Sequence, residues 1–283
     1  MKKGLSLYLL LVQLFLICGS GCRNAGSRDG KNAVTGKKIV DTVKNGVTTK
    51  PAGAQKIAFK GIEYHVFIAD LRTENIDLHL RNFSDTGQFY TLGALHKYLV
   101  SKGGEPLMLT NAGMFMTNYA PLGFFCGDDG KSKVRLNTKQ PATTGNFYIQ
   151  PNGVFYIDAY GVPHIDSTAE FARLLTTGKL VTRKATQSGP MLVINGCINN
   201  SFTDGSKNVN IRSGVGVIDS KQVVFAISVQ PCNFYEFALL FRDNFQCSNA
   251  LFLDGAISQM YLKDINTGFQ NGRFGPMISV TGK

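Results

Sequence analysis

The sequence has little that would hold a metal ion. Its four histidines, His65, His79, His96 and His164, stand apart, and no spacing resembles a zinc site. There is no internal repeat and no βαβ alternation with a phosphate loop, which sets aside solenoids and doubly wound nucleotide-binding folds. The first apolar run, Leu5 to Ile17, is too short for a mature membrane span, and polar GSGC (19–22) follows at once.

Most of the chain also lacks net charge. The total is +11, but residues 1–21 contribute two lysines, and residues 22–60 carry nine Lys/Arg against Asp29 and Asp41. Residues 61–283 are left with only +2. A basic stretch confined to a segment rich in Gly, Thr, Asn and Ala reads as a solvated tether, so no nucleic-acid partner is expected. Lys2 and Lys3, the apolar run and the small residues before Cys22 have the layout of an export signal. They resemble a lipoprotein cleavage site with Cys22 as the lipidated residue, although Gly19 stands where leucine is usual; plain secretion is the alternative. The expected organisation is a signal peptide over 1–21, a basic tether over 22–55 and one domain over 56–283. Its place is the bacterial cell envelope, with a lipid anchor as the membrane contact.

Beyond the export segment four cysteines remain, Cys126, Cys197, Cys232 and Cys247, and an exported chain permits disulfides among them. Cys232 and Cys247 do not suit each other if a helix joins them: fifteen residues at about 1.5 Å each is roughly 22 Å, against a limit of about 7 Å.

The domain reads as α+β, a mixed or antiparallel sheet with a few packed helices. YHVFIADL (64–71) and IDLHLRNF (76–83) are β-like and suit a hairpin, and LGALHKYLVSKG (92–103) a helix ended by glycine. PLMLTNAGMF (106–115) is a buried strand opening into a tight turn. PLGFFCGDDGKSKV (121–134), FYIQPNGVFYI (147–157) and MLVINGCI (191–198) suit hairpins with Asp-Gly or Asn-Gly turns. Ser167-x-x-Glu170 opens a short helix, VGVIDSKQVVFAIS (215–228) is two strands around a polar turn, and NFYEFALLFRDNF (233–245) has helical spacing. LFLDGAISQMYL (251–262) supplies a strand ending in a lone acid, and PMISVTG (276–282) is the last strand.

Four junctions put a polar group where an apolar strand meets small residues. They are Asn111 before Ala112-Gly113, Gln187-Ser188-Gly189, Arg212-Ser213-Gly214, and Asp254-Gly255. Each alone is an ordinary turn. Together they would supply amide, hydroxyl, guanidinium and carboxylate to one rim of a sheet.

NAGMF (111–115) with PLGFF (121–125), ATQSGPMLVINGCIN (185–199), IRSGVGV (211–217), YEFALLFRD (235–243) and NALFLDGAIS (249–258) resemble the phosphodiester glycosidase family. This is the family of the enzyme that uncovers mannose 6-phosphate, with many bacterial exported relatives; the bacterial branch is the nearer one. Ala256 and Ile257 depart from the consecutive glycines usual after the aspartate in the uncovering branch. The resemblance implies hydrolysis of a carbohydrate phosphodiester, resembling an N-acetylglucosamine-1-phosphodiester, at the glycosidic bond, leaving a phosphomonoester. Under it Arg212 grips the phosphate with its donor fork, and Asn111, Gly113, Gln187, Ser188, Ser213, Gly255 and Ser258 form the substrate pocket. Asp254 is the first catalytic carboxylate, since oxocarbenium-like states are aided by carboxyl groups. Glu236 is the second candidate, with a helix-capping role as the alternative, and Asp128, Asp129 and Asp243 are weaker ones. No cofactor is implied, and a divalent cation at the phosphate stays open. The competing function is a surface lipoprotein that binds glycans without cleaving them.

Overall fold

Strands whose two faces are both apolar need a core on each side, and three sheets supply them. The computed structural model describes residues 50–80, 87–127, 133–139, 145–255 and 257–283. The expected signal, lipidated Cys22 and the expected tether up to residue 49 lie outside these residues, as do Asp128, Asp129 and Ala256. No helix among the described residues is long and apolar enough to cross a membrane.

The largest sheet has seven strands, in the order β1 (Gly53–Phe59), β2 (Ile62–Asp70), β13 (Gln222–Ser228), β12 (Ser213–Val217), β14 (Asn249–Asp254), β10 (Met191–Ile194) and β11 (Cys197–Ile198). A four-stranded sheet orders β15 (Met260–Leu262), β4 (Pro106–Asn111), β16 (Met277–Gly282) and β3 (Glu74–His79). A five-stranded sheet orders β6 (Lys133–Val134), β5 (Phe125–Cys126), β9 (Thr182–Ser188), β7 (Gly153–Asp158) and β8 (Pro163–Ser167). The pairings that define them are antiparallel.

Period-two alternation divides each long strand between two cores. Phe67, Phe225, Leu251 and Leu253 face a central cluster that also takes Ile76, Leu78, Met108, Phe155 and Ile278 from the other two sheets. Val66, Val224, Ala250 and Phe252, on the opposite face, pack under helix α3 (Phe234–Leu239), which runs on as a π-helical turn, Leu240–Asn244. Helix α1 (Leu92–Ser101) backs the four-stranded sheet through Leu92 and Leu95, and α2 (Thr168–Thr176) backs the five-stranded sheet through Phe171. The α+β expectation holds, with one helix behind each sheet.

Two expected hairpins do not form. β2 and β3 enter different sheets, β2 between β1 and β13 and β3 on the edge beside β16. A tight turn at Asp70–Thr73 carries the chain across: Asp70 O accepts from Thr73 N and Glu74 Oε2 from Asp70 N. The 147–157 stretch begins as a 3₁₀ turn (Asn146–Tyr148) and becomes strand only at Gly153, because Asn152 folds back and donates Nδ2 to Phe147 O. β1 begins at Gly53, three residues ahead of the expected domain start. It pairs with β2 across Lys60 and Gly61, both at positive φ. The Asn195-Gly196 hairpin does form, with φ of 48° and 79°. Cys197, Cys232 and Cys247 are free thiols.

Candidate active site

Asp254 is placed by backbone, with no charged side chain among the described residues to hold it. β14 carries one extra residue, Leu253, against β12: Gly214 lies opposite Phe252 and Ser213 opposite Asp254. Such a bulge re-aims the residue after it. Ser188 Oγ donates to the Leu253 carbonyl at 2.8 Å, tying the end of β9 to the end of β14. The Asp254 carboxylate accepts the Gly255 N–H at 2.7 Å. Burial pushes its pKa up to about 6, with the Gly255 N–H pulling weakly the other way. It is therefore mostly ionised at neutral pH yet close to taking a proton.

Beside it runs a chain of neutral polar groups. Ser258 follows a tight turn closed by Ser258 N donating to Gly255 O. Its hydroxyl accepts from Asn111 Nδ2 at 3.2 Å and lies 2.8 Å from Ser213 Oγ, which also donates to Asp254 O at 3.3 Å. Asn111, 1% exposed at the end of β4, accepts the Gln259 N–H with its Oδ1. Asn111 thus fixes the loop that carries Ser258. All four expected junctions, through Asn111, Ser188, Ser213 and Asp254, are brought together where β4, β9 and β14 end and β12 begins.

Arg212 lies one residue from this chain and is 1% exposed. Its backbone locks to β13, Arg212 N donating to Ser228 Oγ and Ser228 N to Arg212 O. Nε donates to Cys232 O and Nη2 to Asn208 O, each at 2.8 Å, and the guanidinium lies 3.6 Å from the centre of the Phe234 ring. Among the described residues no carboxylate pairs with it. Burial lowers its pKa to about 10, so it remains a cation. A buried charge without a counter-ion costs several kcal/mol, of which stacking on an aromatic face offsets up to about 2 kcal/mol. The edge of the fork expected to grip phosphate is spent on Cys232 O and on Asn208, whose O and Oδ1 both accept from Nη2, which leaves Nη1.

Other expected site residues have structural work. Gln187 Oε1 accepts from Phe124 N and Asn137 N, while its Nε2 donates to Asn137 O and Thr168 Oγ1, so the amide is spent on the chain itself. Gly113 donates its N–H to Thr186 Oγ1, and a Cβ there would stand 2.2 Å from Gln187 O. Its glycine answers strand packing. At Gly255, by contrast, a Cβ would meet nothing nearer than 3.6 Å. Glu236 completes a capping box: Oε2 accepts the Asn233 N–H at 3.0 Å and Asn233 Oδ1 accepts the Glu236 N–H at 2.9 Å. Asp243 pairs with Arg242. Among the described residues no three His, Cys, Asp or Glu side chains cluster as a metal site. The supports of Arg212 that sequence reasoning passed over are Asn208, Ser228 and Phe234. Only Phe234 carried a signal, as part of the apolar face of α3.

The model of the phosphodiester glycosidase family matches residues 105–279, more than half of the chain and every described site residue above. The chain is 37% identical over 193 residues to the uncharacterized protein YigE of Escherichia coli K12, covering 68% of this chain and 72% of that one. In fold it is similar to the catalytic domain of zebrafish N-acetylglucosamine-1-phosphodiester alpha-N-acetylglucosaminidase, auto-inhibited by its pro-peptide. That match has a TM-score of 0.53 and 16% identity over 80% of this chain and 81% of that one. With its motifs at the ends of β4, β9, β12 and β14 and a family match spanning them all, this chain belongs to the phosphodiester glycosidase family.

Proposed function

We propose that this protein is an exported hydrolase of a sugar-1-phosphodiester, cleaving the bond between the anomeric carbon and the phosphate oxygen. Water adds across that bond, releasing the free sugar and a phosphomonoester. The observation that carries the reading is the paired strand ends of β12 and β14. They set an isolated carboxylate of raised pKa, Asp254, opposite Ser213, whose neighbour Arg212 is a buried cation without a carboxylate partner among the described residues.

The chemistry follows from those two charges. Breaking the glycosidic bond builds positive charge on the sugar ring, and an ionised Asp254 stabilises it in a site that screens charge poorly. A phosphomonoester leaves without the full protonation an alkoxide needs, so the demand for a second carboxylate is small. Arg212 offsets the negative charge of the leaving phosphate, through Nη1. Ser213 and Ser258, already oriented by Asn111, present hydroxyls to sugar or phosphate oxygens. The N-acetylglucosamine unit and the lipid anchor at Cys22 belong to this proposal too.

The competing reading, a glycan-binding surface lipoprotein, draws on one observation: Glu236 is taken up by its helix cap, leaving Asp254 without a partner acid among the groups named above. The two separate on a single assay. Full-length protein incubated with N-acetylglucosamine-1-phosphodiesters releases free sugar, and Asp254→Asn lowers the rate roughly 100-fold or more, as loss of a positioned carboxylate does. Binding of those compounds without sugar release, or full turnover by Asp254→Asn, selects the binding reading.

A further inference from the structure

The four-stranded sheet carries the backbone outward from the Asp254 site. β4 ends at Asn111, opposite Met277, the first residue of β16, and Ala112 N donates to Pro276 O. The loop after β4 (112–121) and the segment before β16 (270–276) therefore leave the sheet side by side. Gln259, whose N–H Asn111 holds, reaches the second of them. Its amide, oriented to donate to Gln270 O and accept from Gly272 N at 3.2 Å each, straps that segment down. One residue beyond the strap stands Arg273.

Arg273 is exposed and sits in a corner made by two half-buried tyrosine rings. Its guanidinium carbon lies 4.6 Å from the centre of the Tyr90 ring and 5.3 Å from that of Tyr119. The two rings stand edge to face at 76°, their centres 5.0 Å apart. Both tyrosines hold left-handed backbone, with φ of 59° and 64°, which bulky residues keep only where the surroundings impose it. Here Phe274 N donates to Tyr90 O at 2.7 Å, while Tyr119 N donates to Met116 O and Met116 N to Ala120 O, each at 2.8 Å. A Cβ at Gly275 would stand 2.4 Å from Tyr119 O, so this glycine lets the Tyr119 loop seat against the Arg273 segment. Among the described residues no carboxylate pairs with Arg273, and neither tyrosine hydroxyl makes a hydrogen bond. The result is a fixed cation on two aromatic faces, its donor fork unspent, with two unspent hydroxyls on the rings beneath it. That set of groups suits a phosphate, which takes the fork on two oxygens and hydroxyls on the others.

The geometry points to Tyr90, Tyr119 and Arg273 as an outer phosphate site, which takes a second phosphate group on the leaving side of the substrate. The inference rests on the proposed hydrolysis for its use: Arg212 Nη1 meets the phosphate at the bond that breaks, and Arg273 meets the next phosphate along. It names the substrate class as an anionic chain that carries more than one phosphate, in preference to a sugar phosphate esterified to a neutral alcohol. Residues 61–283 carry only +2, so attraction to such a chain comes from placed cations and not from a general basic field.

The test compares two compounds on the full-length chain: N-acetylglucosamine-1-phosphate esterified to glycerol, and the same molecule with a phosphate on the far glycerol hydroxyl. The second phosphate is expected to lower KM about tenfold or more, as a charge-assisted contact does, with kcat unchanged. Because Arg273 is exposed, Arg273→Ala should fold normally, and that preference should shrink as salt rises. Arg273→Ala should abolish the preference while leaving KM for the glycerol compound as it was, and Arg273→Lys should keep only part of it, lacking the planar fork. Equal KM for the two compounds, or a preference that survives Arg273→Ala, overturns the inference. If neither compound is cleaved, the hydrolase reading fails, and calorimetry with the same pair decides the outer site alone. Tighter binding of the two-phosphate compound that is lost in Arg273→Ala keeps the site, whereas equal binding or none removes it.

Discussion

Asp254, at the end of β14, keeps its charge at neutral pH at a cost to the fold. Its pKa is about 6 in the folded chain against an ordinary 3.8, so between those values the folded state binds more protons than the unfolded one. Stability therefore falls as pH rises through that window and levels above about 6. The difference is worth about 3 kcal/mol against the fold at neutral pH. Asp254→Asn keeps an oxygen for the Gly255 N–H and removes the charge, so it should raise the melting temperature at pH 7.5 and change it little at pH 4. The same ionisation governs activity under the proposed mechanism: kcat/KM should rise with pH along a limb centred near 6, and Asp254→Glu should move that limb. A limb that instead falls above pH 6 would assign Asp254 the role of acid. Gly255→Ala is the complementary probe. The chain has room for its Cβ, so stability should stay within about 0.5 kcal/mol, while sugar-phosphodiester turnover should drop at least tenfold if substrate passes over that backbone.

Elements locate the polar residues and decide which of them are free to act. Glu236 sits at the third position of α3 and spends one oxygen on the cap. Glu236→Gln preserves an acceptor there, so hydrolysis by this variant should stay within about threefold, whereas Asn233→Ala should cost about 1 kcal/mol in denaturant unfolding. A hundredfold loss in Glu236→Gln would make it the second carboxylate after all. The capping box was legible as Asn-x-x-Glu before an apolar run, and so was the hairpin at Asn195-Gly196, because both depend on local backbone chemistry. The partners of β2 and β3 were not. β2 buries apolar residues on both faces, so its alternation names no outer side, and adjacency in sequence wrongly suggests that it pairs with β3. The Asp254, Ser213, Ser188 and Asn111 junctions were legible as strand ends. That Gln187 and Gly113 serve packing was not, because their partners lie 50 and 73 residues away.

Across the whole molecule, the central core takes side chains from all three sheets, so the described unit should unfold in one transition, with fluorescence and far-UV circular dichroism coinciding. Leu253→Ala removes volume from that core next to the bulge and should cost about 2–5 kcal/mol, measured by denaturant titration. Because the seven-stranded sheet has a core on each face, β14 has no solvent side onto which to slip. Deleting Leu253 would restore an unbroken ladder and turn Asp254 by half a strand repeat into the central apolar cluster. The sheet thus acts as a phase lock on its acid: loop sequence beyond Gly255 can drift, as at Ala256 and Ile257, without changing the direction in which the carboxylate points.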